Sequence, residues 1–195
     1  MNREAEVSRE TRETRVRCRL NLDGTGSVRL STGVGFFDHM LDQLARHAFW
    51  DLDLEAAGDL EVDAHHTVED SGIVLGQALD RALGDRRGIA RFGSAHAPLD
   101  ESLALAVVDL GGRPFCRVEA PFSREQVGGM DTQLVAEFFR AFTVHARAAV
   151  HLNLLYGENA HHQVEAVFKA AALALGQAVR LDPRVQGVRS TKGVL

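Results

Sequence analysis

The chain has 195 residues, 45% of them hydrophobic and 25% charged, with a net charge of −5. That length suits one large domain or two small ones, and Lys and Arg are scattered rather than gathered on one stripe, which argues against a nucleic-acid partner. No apolar run approaches the roughly 18 residues of a membrane span, and the charged opening MNREAEVSRETRETRVR lacks the apolar stretch of a secretory signal, so the expected setting is the cytoplasm with no membrane partner.

In chain order, residues 16–33 (VRCRLNLDGTGSVRLSTG) alternate apolar and polar side chains across Asp23-Gly24, which predicts strand, turn, strand. Residues 38–48 have helical spacing with Asp38 at the N-cap. Residues 50–64 read as two short strands, and residues 65–84 as a helix closed by Gly84. The stretch 84–92, GDRRGIARF, separates this first unit from a second. There, residues 101–122 read as a hairpin around Gly111-Gly112, 131–149 as a helix with Asp131 near its start, 150–157 as a strand and 161–179 as a long helix. Cys18 and Cys116 lack metal-type spacing and read as reduced strand residues.

Histidine is the outlier, with nine in the chain and four of them in two adjacent pairs. His65-His66-Thr67-Val68-Glu69 recurs as His161-His162-Gln163-Val164-Glu165, and each copy follows two acid-or-His positions eight apart, His39 and His47 in one, Glu137 and His145 in the other. The repeat predicts an α+β fold of two pseudo-symmetric half-domains, residues 1–88 and 89–195, each a mixed sheet with helices packed on one face and together one functional unit. On a helix, residues four apart share a face and neighbours diverge by about 100°. His65 and Glu69 can therefore clasp one metal while His66 aims elsewhere, and His161, Glu165 and His162 repeat the arrangement. Two such half-sites can complete each other. Imidazole and carboxylate without thiolate suit Mn²⁺, Fe²⁺, Co²⁺ or Zn²⁺, with Mn²⁺ the best match for a six-coordinate site. The zincin spacing, two histidines four apart with Glu between, is absent.

The chain also resembles the imidazoleglycerol-phosphate dehydratase family along nearly its whole length. The resemblance rests on RETRET (9–14), NLDGTG (21–26), GVGFFDHMLDQLARH (33–47), DAHHTVED (63–70), RFG (91–93), APLDESL (97–103), GGRPF (111–115), DTQLV (131–135), GENAHHQVEAVFKA (157–170) and STKGVL (190–195). It implies an enzyme of histidine biosynthesis that dehydrates imidazole glycerol phosphate at two Mn²⁺ ions per active site. The implied ligands are His39, His66, His161 and Glu165 for one ion and His65, Glu69, His162 and position 137 for the other. Position 137 is Glu here, where the family's better-known form has His, and His145 two turns further along competes with it. The resemblance further implies a shell of 24 copies built from trimers.

Chemistry constrains the reaction. The hydrogen lost has no neighbouring carbonyl to acidify it, so elimination must draw electrons from the ring, through an imidazolate that expels hydroxide to give a diazafulvene. A carboxylate must take the carbon-bound proton. Glu13, in RETRET, is the expected acid-base residue, with Glu69 and Glu165 as further catalytic carboxylates. Arg91, Arg113, Lys169, Ser190, Thr191 and Lys192 carry donors suited to phosphate. His39, His47, His65 and His161 are expected at the substrate as well.

Overall fold

The computed structural model describes residues 3–195. Its first sheet is formed by β1 (Glu4–Glu10), β2 (Thr14–Asn21), β3 (Val28–Ser31) and β4 (Asp51–Gly58), with α1 (Gly35–Ala48) between β3 and β4 and α2 (His65–Leu83) after β4. The second sheet repeats this plan with β5 (Phe92–Leu99), β6 (Ser102–Asp109), β7 (Phe115–Glu119) and β10 (Ala149–Tyr156). A small ribbon, β8 (Gln126–Val127) with β9 (Met130–Asp131), follows β7; α3 (Gln133–Ala146) precedes β10 and α4 (Ala160–Val179) follows it. Strand order is β1-β2-β4-β3 in one sheet and β5-β6-β10-β7 in the other, the same topology twice. The fold is thus α+β, two mixed sheets each backed by two helices, and α1 packs on α4 while α2 packs on α3.

The expected strand, turn, strand of residues 16–33 is present, though its strands are not neighbours, and the hairpin expected at residues 101–122 is corrected. β2 and β3 do not pair with each other, because β4 lies between them, antiparallel to β2 and parallel to β3. β6 and β7 are likewise separated by β10. Parallel neighbours need a crossover, and α1 and α3 supply it. The loop after Asp23 is anchored rather than tightly turned: Asp51 accepts hydrogen bonds from the N–H groups of Thr25 (2.8 Å) and Ser27 (3.0 Å), and Asp51 fills the space where a Cβ on Gly24 would lie. This carries the chain past β4 to its far side.

Residues 50–64 form one strand and a turn instead of two strands. Asp38 lies in the first turn of α1 and accepts from the Thr32 N–H and hydroxyl (3.0 and 2.7 Å), so it ties the helix to the end of β3 rather than standing at the N-cap position. Asp131 similarly accepts from the Gln133 N–H at the start of α3 (2.9 Å). β1 and β5 went unrecognised as strands. β1 buries only Val7, and its outward Glu4 and Glu6 pair with Arg19 and Arg17 on β2. β5 turns small residues inward, Gly93, Ala95 and Ala97, and a Cβ on Gly93 would lie 1.9 Å from the Ala174 carbonyl oxygen of α4. Neither pattern carries a hydrophobic alternation strong enough to read.

The core between the sheets contains Trp50, Phe37, Phe138, Phe139, Phe142 and Phe168, all fully buried. Cys18 faces it and burial pushes its thiol up to about 12; among the described residues Cys18 and Cys116 are both free. No described helix is long and apolar enough to cross a membrane.

Candidate metal and substrate site

The two His-His-x-x-Glu units occupy the first turns of α2 and α4. An Asx side chain two residues ahead accepts the N–H of the first histidine in each copy, Asp63 for His65 (2.7 Å) and Asn159 for His161 (2.9 Å). These contacts satisfy one free donor at each helix start and fix where the histidines leave the helix.

Where α4 meets α1, His39 Nε2 lies 3.0 Å and His161 Nε2 3.2 Å from Glu165 Oε2. The ligand atoms of these three residues all lie within 4.8 Å of one another. Lys169 Nζ holds the other Glu165 oxygen at 2.6 Å. Burial pushes the Glu165 carboxyl up, but the hydrogen bonds from Lys169 and His39 outweigh it and hold the group below its ordinary range. A cluster of two imidazoles and a carboxylate, without thiolate, fits a divalent cation of the manganese to zinc series.

The remaining predicted ligands are not gathered with it. His65 Nε2 faces its own Glu69 at 3.9 Å. His66 and His162 turn the other way, His66 Nδ1 to Asp59 (3.0 Å) and His162 Nδ1 to Glu101 (2.8 Å). Those hydrogen bonds raise both imidazoles above their ordinary value. Glu13, on the turn between β1 and β2, stands 3.9 Å from His66 Nδ1. Glu137 pairs with Arg140 on the surface of α3, whereas His145 packs beside α2 with Gln77 Nε2 3.5 Å from its Nδ1. Burial, and then Arg9, lower the His145 ring below its ordinary value. His47 sits close enough to Lys169 and Glu165 to feel both, with burial as the main cause of its lowered value.

A second feature is an open cavity of ≈ 790 Å³ lined by Arg91, Arg113, Ser190, Thr191 and Lys192, the phosphate set expected from the sequence apart from Lys169. Arg147 and Arg189 also line it and were missed, since isolated arginines read as solvated. Arg91 is braced by Asp109 (2.7 Å), and its Nη1 donates to the Arg189 carbonyl (2.7 Å), which folds the C-terminal segment over the cavity. The Arg91 N–H donates to Ala178 O (2.9 Å), so this cavity lies beside the C-terminal end of α4. His161 and Ala178 are seventeen residues apart on that helix, or about 25 Å by helix rise.

Comparison with known proteins shows the family. The family model described as imidazoleglycerol-phosphate dehydratase matches residues 32–175. The chain is 57% identical over 195 residues to the imidazoleglycerol-phosphate dehydratase of Methylibium petroleiphilum, covering 100% of this chain and 98% of that one. It is 53% identical to the one from Acetivibrio thermocellus, covering 100% of both. Among solved structures, the Staphylococcus aureus enzyme of that name aligns with a TM-score of 0.83 at 40% identity, over 92% of this chain and 99% of that one. A Pyrococcus furiosus relative, in complex with (S)-C348, aligns with a TM-score of 0.84 at 36% identity, over 97% and 100%. The chain therefore belongs to the imidazoleglycerol-phosphate dehydratase family of hydro-lyases.

Proposed function

We propose that the chain converts imidazole glycerol phosphate to imidazole acetol phosphate and water in the cytoplasm, using two Mn²⁺ ions per site, with its halves 1–88 and 89–195 contributing equivalent ligand units. The observation that carries this reading is the His39, His161 and Glu165 cluster at the start of α4, with the same His-His-x-x-Glu unit repeated at the start of α2. His39, His66, His161 and Glu165 would hold one ion. His65, Glu69, His162 and Glu137 would hold the other; the packing of His145 against α2 supports Glu137 over it.

Bound there, the metals would act as Lewis acids that ease loss of the ring proton and fix the ring's plane. The hydroxyl beside the ring then leaves with its bonding pair, through an imidazolate and diazafulvene path, and the hydrogen on the next carbon leaves as a proton. The resulting enol becomes the ketone. Glu13, exposed and 3.9 Å from His66 Nδ1, would accept or return that proton. Glu69 and Glu165 supply the fixed negative charge around the ring, with His39, His47, His65 and His161 beside it and Lys169 bonded to Glu165. Arg91, Arg113, Ser190, Thr191 and Lys192 would receive the phosphate.

A three-carbon phosphate bearing an imidazole is far shorter than the separation between the two ends of α4. This supports a site completed by neighbouring copies, as in the proposed 24-subunit shell of trimers. A spectrophotometric assay of product formation tests the function: activity is expected to vanish on chelation and return with Mn²⁺. A chelated protein at full rate would overturn the metal reading, and a manganese-loaded protein with no turnover would overturn the substrate.

Manganese uptake is also expected to weaken on acidification, because an imidazole must be neutral to ligate. Since Asp59 and Glu101 raise His66 and His162, the loss should begin above the ordinary imidazole value of 6.5. Equilibrium dialysis between about pH 7.5 and about pH 5 reads it. Undiminished binding at the acid end would count against histidine ligation.

A further inference from the structure

We propose that Asp59 and Glu101 are positioning residues that fix the ring tautomer and direction of His66 and His162, a role that rests on the metal-site reading above. In each His-His-x-x-Glu unit the first histidine offers Nε2 toward its own Glu, His65 to Glu69 and His161 to Glu165. The second is turned away, and in both copies its Nδ1 meets a carboxylate from outside the helix. An ionised carboxylate only accepts hydrogen bonds, so Nδ1 must carry the hydrogen, which leaves the lone pair of a neutral ring on Nε2. The second histidine of each unit then presents Nε2 as its ligating nitrogen.

The carboxylates come from different places in the two halves. Glu101 lies in the turn joining β5 and β6, and its Oε1 also accepts from the N–H groups of Asn159 (2.8 Å) and Glu158 (3.2 Å) ahead of α4. It is thus bolted to the helix whose histidine it aims. The matching turn of the first half, between β1 and β2, holds Glu13, which stops 3.9 Å short of His66. There Asp59, on the turn after β4, takes the Nδ1 instead, with both oxygens within 3.2 Å. The same demand on the ring is met by two unrelated residues, which marks the demand as chemical rather than a by-product of the repeat. Glu13 thereby stays clear of the ring.

The test uses the full chain stripped of metal and titrated with MnCl₂, free Mn²⁺ being read from its electron paramagnetic resonance signal. Asp59→Leu and Glu101→Met fill the space of the side chain but offer Nδ1–H no acceptor, whereas Asp59→Asn and Glu101→Gln keep an amide oxygen that can accept from it. Manganese affinity is expected to fall roughly 10–100-fold in Asp59→Leu and Glu101→Met and by less in Asp59→Asn and Glu101→Gln, the pattern of a lost acceptor rather than of lost volume. Since the Asp59 side chain bonds only His66 among the described residues, the Asp59 pair stays informative if Glu101→Met fails to fold. Wild-type affinity in Asp59→Leu, or a loss in Asp59→Asn as large as that in Asp59→Leu, overturns the inference alone. A wild-type protein that takes up no manganese overturns the metal-site reading and the inference with it.

Discussion

A chain carrying Glu165→Ala is expected to lose at least about 10³-fold in kcat/KM and to bind manganese poorly, with a lower assembled mass if metals join copies. One oxygen of Glu165 is the meeting point of His39 and His161, and the other is held by Lys169. Removing it takes away the only anion in the cluster and leaves two imidazoles and an ammonium facing one another. Any cation then entering meets repulsion from Lys169 in place of a ligand. Glu165→Gln preserves the volume but not the charge, and should fall close to the Ala variant. The measurements are steady-state rates, bound metal per chain and mass in solution. A fully active Glu165→Ala protein with full manganese content would defeat the assignment.

Arg86→Ala is expected to cost about 3–5 kcal/mol of stability, read as a lower denaturant midpoint. Arg86 is 4% exposed and donates to three carbonyls, Leu110 (2.9 Å) at the end of β6 and Ala146 (2.9 Å) and Arg147 (3.0 Å) at the end of α3. It also pairs with Asp80 of α2. The last carbonyls of a helix lack partners within the helix and carry its negative dipole end, so a buried cation there meets two needs at once. Truncation leaves the three carbonyls without their donor, each a penalty of about 1–3 kcal/mol before relaxation, and takes the partner from the half-buried Asp80. Arg86→Lys should recover only part of the loss, since an ammonium lacks the planar fork that reaches two elements together. A midpoint unchanged in Arg86→Ala would show that water replaces the guanidinium without cost.

Much of this was legible beforehand, and the reasons differ by element. α2 and α4 were readable because their apolar residues recur every three or four positions and Gly84 ends the first of them. The duplication was readable because a rare pair of histidines marks it. Pairing partners were not, since β2 and β3 look locally like a hairpin, and only the position of β4 in the sheet separates them. Residues 84–92 read as a join between repeats, yet Arg86 within them is among the most buried charges of the molecule.

At the site, helix geometry alone foretold that neighbouring histidines would diverge, as His65 and His66 do. The carboxylates that receive the diverging rings were invisible, because Asp59 and Glu101 lie on turns with no periodic pattern. Glu101 even sits inside a motif, APLDESL, that carried the family resemblance, but nothing in its spelling links it to His162.

The length of α4 has a consequence for how the protein behaves in solution. If, as proposed, the cluster at one end binds the ring and the cationic cavity at the other binds the phosphate, one substrate would meet both only where copies come together. Catalytic capacity would then obey mass action among chains. Specific activity would be expected to rise with protein concentration until assembly saturates and to drop on dilution without any chain unfolding.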